Sequence, residues 1–392
     1  MSNRFKIFIV FACILNVGIL FLLSFWFMSL PWLAGDEKFL IWATSAIKLQ
    51  NRELPATSDI ALINVSYDLE LIDRFDEYGF PVGNQVITDR LKLYEFFAII
   101  NEQEAKPKQI ICDIFFRDET PNDDLLRGEL ELRDDVVLSY HLNDSLMPLY
   151  PLFDNVDRGL SDYLTMNIFE GVYKYQLFYQ DSIKLTPLRV FEKINPIPIR
   201  TAGTFVKIGD QWTPNHFILN YRLLQKDIDD IELGFNPINL GELLLLPPED
   251  IAAFIDGKIV ILGDFRENDF HETIFEITSG PLILLNVLLS LEAKDTKVNA
   301  GFFILVGTFF LFLSYLVFYP GDFIEKRIQH LYENFKLLKQ LVGFMNYFLI
   351  LSICSIITFF FFNIHLNVFF LSVYLYLADI LTHRVYKQLG KA

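Results

Sequence analysis

The hydrophobic positions of this 392-residue chain fall into long unbroken runs and short ones. Four runs are long: residues 7–30, 302–319, 344–362 and 366–381. A helix rises about 1.5 Å per residue, so the first run can cross a bilayer core of about 30 Å with room to tilt. Arg4 and Lys6 precede it, and Trp26 and Trp32 stand near its end, where interfacial aromatics belong. It exceeds a signal-peptide core and lacks a small-x-small cleavage site, so a retained anchor is expected. Between residues 36 and 297 the runs are short. "DIALINVS", "KQIICDIFF", "DVVLSYH" and "KIVILGD" are dense in Ile and Val and read as buried strands. "TDRLKLYEFFAIINEQ" reads as a helix with Thr88 as its cap and Leu91, Tyr94, Phe97 and Ile100 or Ala98 on one face. "DDLLRGELEL" is a second helix, and "GPLILLNVLLSLEAKD" a third, entered through Pro281. Strand, helix and strand in this order predict an α/β domain with a mainly parallel sheet flanked by helices. The middle breaks the rhythm. "LSDYLTMNIFEGVYKYQLFYQDSIKLT" has two β-rich runs around Glu170-Gly171, which predicts an inserted β-hairpin, and "PLRVFEKI" reads as a short helix after it.

Charge decides how the long runs face. "EKRIQHLYENFKLLK" at 325–339 and the tail "HRVYKQLGKA" are basic, whereas the link 363–367 has no Lys or Arg. The positive-inside rule places the N-terminus, the basic link and the tail in the cytoplasm, and residues 36–297 outside it. The expected organisation is a cytoplasmic stub and span (1–34), an extracytoplasmic α/β domain (35–298), three spans (299–383) and a cytoplasmic tail (384–392). Within the basic link, at 322–341, Ile324, Ile328, Leu331, Phe335 and Leu338 recur at helical spacing. Such a helix lies on the inner membrane surface or offers a docking face to a partner helix; the first is the simpler reading.

Composition agrees with this division. The chain is 52% hydrophobic with 40 Phe, yet 21% charged, as a polar domain joined to membrane spans requires. A net charge of -16 excludes a nucleic-acid partner, which needs a basic surface. Cys13 and Cys354 lie in the apolar runs, leaving Cys112 alone in the polar region, so no disulfide framework forms there. Asn16, Ser352, Ser355 and Thr358 suit helix packing, and no acidic or His run marks an ion path through the spans.

Candidate chemistry gathers at the ends of the strands, where ligands of parallel α/β sheets bind. Asp113 ends one strand. Asp264 ends another and opens a loop holding Glu267, Asp269, His271 and Glu272. Arg90, entering the first helix, can balance these carboxylates or clamp an anion. Arg90, Asp113, Asp264, Asp269 and His271 are therefore the expected ligand-binding residues. A buried Asp264–Arg90 or His271–Asp113 pair that only fixes the loop explains the same residues. Carboxylates with one imidazole suit a divalent ion, but no paired-His helix, Cys cluster or calcium-loop pattern occurs, so no metal is expected. Ser66, Ser139 and Ser279 lack a nucleophile elbow, Cys112 lies within an apolar strand, and "GDFREN" has one Gly. Neither catalysis nor a cofactor is expected.

Five stretches in order, "DIALINVSYD", "GFPVGNQVITDRLKLYEFF", "IICDIFFRDETPNDDLL", "FILNYR" and "GKIVILGDFRENDFHET" with "SGPLILLNVLLSL", resemble the type-two CHASE family of extracellular sensory domains. The resemblance runs from about residue 59 to about residue 292, and one span before and three after the domain extend it. It implies a bacterial inner-membrane protein with a periplasmic sensory domain. Members of that family feed cytoplasmic output domains, whereas only about a dozen residues follow Leu381 here. The expected partner is therefore a separate protein in the membrane, cytoplasm or periplasm, and the expected input an unknown small ligand. The alternative is a structural subunit of a membrane complex that docks a periplasmic protein.

Overall fold

The structure is a computed structural model that describes residues 3–30, 35–75, 78–163, 171–319 and 336–388. The chain gathers into two compact units. One comprises Met1–Lys48, Ala202–Ile218 and Asp295–Ala392; the other comprises Leu49–Thr201 and Leu219–Lys294.

Helices α1 (Asn3–Met28), α8 (Ala300–Phe318), α9 (Lys336–Phe362) and α10 (Val368–Gln388) belong to the first unit. All four are long and apolar enough to cross a membrane, which fits a multi-pass membrane protein. Leu20, Phe302, Phe310, Leu351 and Leu371 bury their side chains between them. Asn16 joins three of the helices: its amide donates to Ser314 Oγ at 2.8 Å and accepts from Tyr374 OH at 2.6 Å. Such bonds hold a bundle together where apolar side chains find lipid as congenial as one another. Two further elements join this unit. Helix α2 (Gly35–Gln50) sends Lys48 Nζ to Asn363 Oδ1 at 2.8 Å and to Phe359 O at 3.0 Å. A hairpin of Phe205–Ile208 and Gln211–Pro214 takes a bond from Val298 N to Trp212 O at 2.8 Å. Residues 320–335, and with them most of the basic link, lie outside the described residues.

The second unit is built on a mainly parallel sheet. Its strands include β1 (Ile60–Asn64), β4 (Gln109–Asp113), β5 (Val136–Leu142), β6 (Pro148–Leu149), β7 (Arg158–Leu160), β8 (Ile238–Asn239) and β9 (Ile259–Gly263). The order is β8-β1-β9-β4-β5-β6, with β7 also paired to β5; every pair is parallel except β5 with β6. Ala61, Ile63, Ile110, Cys112, Val136, Leu138, Val260 and Leu262 point to one face. There they meet Leu93, Phe96, Phe97 and Ile100 of α3 (Arg90–Glu102), Leu126 and Leu130 of α4 (Asp123–Glu131), and Ile251 and Ile255 of α6 (Pro248–Ile255). The other face lies against α5 (Thr186–Ile194) and α7 (Gly280–Glu292). Both faces are covered, which is why the strands are apolar at consecutive positions.

Details differ from the sequence pattern. The cap of α3 is Asp89, whose Oδ1 accepts from the backbone N–H groups of Leu91 and Lys92 at 3.0 and 3.1 Å; Thr88 ends the preceding strand. Leu91 is exposed, and the buried stripe is Leu93, Phe96, Phe97, Ile100, the spacing one helix face requires. Leu69–Phe75 (β2) and Pro81–Thr88 (β3) form an antiparallel hairpin. The turn expected at Glu170-Gly171 falls beside residues 164–170, outside the described residues; nearby, Phe178–Tyr179 pairs antiparallel with Ile183–Lys184.

Candidate functional site

Register sets the geometry at the carboxyl edge of the sheet. Asn64, Gly263 and Asp113 stand in one row at the ends of β1, β9 and β4. Gly263 suits the middle place because a Cβ there would lie 2.5 Å from Pro281 Cγ. Beyond this row the chain surrounds a cavity of about 820 Å³, lined by Asp113, Asp264, Asp269 and His271, among others. Arg90 does not line it. Its side chain is buried, with Nε 3.5 Å from Asp123 Oδ1 and the guanidinium over the Phe116 ring at 4.4 Å from the centroid.

Each carboxylate has its own surroundings. Asp264 accepts from the backbone N–H groups of Arg266, Glu267 and Asn268 at 3.0, 2.9 and 2.9 Å. The Ser66 hydroxyl also reaches it, and itself lies 2.6 Å from Asn64 Oδ1. Burial would raise the Asp264 carboxyl; the Ser66 and backbone donors outweigh it and hold the group below the usual carboxylate range. Asp264 therefore shapes the loop. Asp269 precedes a short hairpin of β10 (Phe270–Glu272) and β11 (Ile277–Ser279), and its carbonyl accepts from Gly280 N at 2.8 Å as α7 begins. Its carboxylate lies against Gly280, where any Cβ would collide with it. His271 Nε2 is 2.9 Å from Asp269 Oδ1, and the Tyr163 ring meets the imidazole edge-on at 4.6 Å. Tyr163 OH donates to Gly280 O at 2.9 Å.

A second imidazole–carboxylate pair shares the cavity. His141, on β5, places Nδ1 2.8 Å from Asp162 Oδ1, and the backbone N–H of Leu142 donates to the other carboxylate oxygen. Burial pulls the His141 pKa down, but the bond to Asp162 and the charges of Asp162, Asp113 and Asp269 outweigh it, so the net shift is upward. Asp113 differs from its neighbours. Burial and the like charge of Asp269 push its carboxyl up to about 6, against the lowering pull of the Ser139 and Ser161 hydroxyls and of His141. Sequence reasoning missed His141, Asp162, Ser139, Ser161 and Tyr163. The signal was present for His141, which follows an apolar strand core as Asp113 does; Asp162 follows a strand of three residues, too short to read.

No family model, no curated protein and no solved structure matches the chain.

His141, paired with Asp162, and Asp113, its carboxyl raised to about 6, give the cavity groups that hold and exchange protons. Among the described residues, no three His, Cys, Asp or Glu side chains are arranged to hold a metal ion. Cys112 is fully buried, and burial pushes its thiol far above the ordinary value.

Proposed function

We propose that this is a multi-pass protein of the bacterial inner membrane whose α/β unit binds a small polar ligand in the periplasm and passes the event to a separate protein. The supporting observation is the cavity of about 820 Å³ at the carboxyl edge of a parallel sheet, lined by Asp113, Asp269, His141 and His271. Ligands of open α/β sheets bind at this edge, and a room of this size with few convergent polar groups is the form that small-molecule sites take. The basic segments flanking the spans support a periplasmic α/β unit, and the resemblance to extracellular sensory domains supports signal input. The side chains around the cavity serve recognition, and catalysis is no part of the reading.

A second reading has its own observation. Leu71, Tyr78, Phe80, Val82 and Val86, on or beside the β2–β3 hairpin, are exposed, Tyr78 to 77%. An exposed apolar patch of this kind favours docking of a periplasmic protein, with the chain a structural subunit of a membrane complex. Native mass spectrometry of the full chain, gently extracted from its own membrane, separates the two. A small bound mass that is lost in His141→Ala is expected for the ligand reading. A stoichiometric partner protein, retained in His141→Ala and without a small mass, overturns it.

A further inference from the structure

We infer that the ligand of this cavity carries an organic ammonium group, which seats against Asp113 in place of a proton. The inference rests on the cavity reading above and gives its ligand a chemical class.

The argument is an accounting of charge. Five carboxylates line the cavity: Asp113, Asp118, Asp162, Asp264 and Asp269. Four have donors of their own. Asp264 has three backbone N–H groups, Asp118 has the Gln85 amide at 2.8 Å, Asp162 has His141, and Asp269 has His271. Asp113 has the Ser139 and Ser161 hydroxyls, neutral donors like those of Asp264 and Asp118, but burial and the like charge of Asp269 oppose its negative charge. Ser161 Oγ also lies 2.6 Å from Ser139 Oγ and 2.8 Å from Thr186 Oγ1, so this hydroxyl chain is fixed from behind. The other charged or titratable groups around Asp113 are His141 from β5, Asp162 and Tyr163 after β7, Asp269 and His271 beside α7, and Tyr175. Both imidazoles already face a carboxylate. No Lys or Arg is among the described residues lining the cavity. Arg90, the cation expected at this edge, is held by Asp123.

A carboxylate in such a place is unfavourable until a positive charge joins it. A proton does this in acid. At neutral pH the cavity needs another cation, and its field repels anions. An ammonium group fits better than a metal ion. It offers N–H donors to Asp113 and to the hydroxyl oxygens around it, whereas the described carboxylates and imidazoles do not converge as metal ligands do. The volume of about 820 Å³ leaves room for the body of an organic molecule behind its charged group.

Calorimetric titration of the detergent-purified full chain tests this with 1,4-diaminobutane, butane-1,4-diol, succinate and magnesium chloride. The diamine is expected to bind with release of protons near pH 6. Its affinity should fall about tenfold as the pH drops from about 7.5 to about 5, because protons compete for Asp113. Asp113→Asn, shown to be folded by circular dichroism, should abolish binding. Asp269→Asn, which removes the neighbouring like charge, should move the pH midpoint down. Binding of the diol or succinate in preference to the diamine overturns the ammonium assignment and leaves the cavity reading intact. Binding of magnesium alone assigns the site to an inorganic cation. No heat from any of the four, or diamine binding indifferent to pH and to Asp113→Asn, overturns the inference, and the bound mass sought by native spectrometry then decides the cavity reading separately.

Discussion

Asp113 occupies its place at a cost to folding at neutral pH. Its carboxyl is raised to about 6 in the folded chain by burial and by Asp269. An acid whose folded pKa exceeds its unfolded value binds more protons when folded, so stability falls as pH rises from about 4 through about 6. Asp113→Asn removes the penalty. The variant should be more stable than the parent above about pH 6, by about 3 kcal/mol, and the gain should vanish below about pH 4. Thermal melts followed by circular dichroism at the two ends of that range check this; a loss of stability at neutral pH refutes it. Asp264 has the opposite sign. Its folded pKa is depressed, so its contribution is present above the unfolded value and is lost as pH falls through the folded one. Residue identities at this edge were partly legible in the sequence. Asp113 and Asp264 follow apolar strand cores, Asp269 and His271 belong to the segment that Asp264 opens, and a parallel sheet sends such residues to one edge. Arg90 could not be placed in the same way. Its position before a helix is readable, but its choice of Asp123 and Phe116 over the cavity depends on how α4 packs on α3.

At the scale of elements, legibility followed burial. The main strands show as Ile- and Val-rich runs because helices cover both faces of the sheet. The β2–β3 hairpin escaped notice because exposed apolar and polar residues are interspersed along it, with no one-sided alternation to read. Helix α7 was legible from Pro281 at its start and from its apolar length, yet the role of its one internal amide was not. Asn286 donates to Leu223 O at 2.8 Å and Leu282 O at 2.9 Å, and accepts from the N–H groups of Arg222 and Leu223 at 2.7 and 3.0 Å. The helix thereby supplies the irregular segment 222–223 with the bonds a neighbouring strand would give. Asn286→Leu preserves the apolar surroundings and strands those backbone groups, at a cost of about 3 kcal/mol. Cys112 is fully buried in the same unit, so its rate of labelling in urea, in a chain without the other two cysteines, reports the loss. An unchanged midpoint refutes the assignment.

For the molecule as a whole, the four long apolar helices were plain in the sequence, since hydrocarbon demands length and apolarity above all. The hairpin of Phe205–Ile208 and Gln211–Pro214 was not expected to join their unit, because four-residue strands carry no such signal. The proposed sidedness rests on the basic flanks, and the three native cysteines are all buried, which makes a clean test available. Ser145→Cys introduces an exposed thiol in the α/β unit. A membrane-impermeant maleimide should label it in cells whose outer membrane has been opened, without lysis of the inner membrane. Protection until lysis reverses the proposed topology.

The order of strands also constrains when the α/β unit can fold. β1 and β4 are made early, yet neither lies beside the other: β9 separates them, pairing Ile60 with Ile259 on one side and Gln109 with Ile259 on the other. Until Gly263 has left the ribosome, β4 can pair only with β5 and β1 only with β8, so the two halves of the sheet have no strand to join them. Chains stalled before residue 259 should therefore be digested by protease at residues 60–64, whereas chains carried past α7 should resist. During synthesis the unit depends on whatever shields exposed strands in the cell for most of its length, and the central place of β9 turns a matter of topology into one of timing.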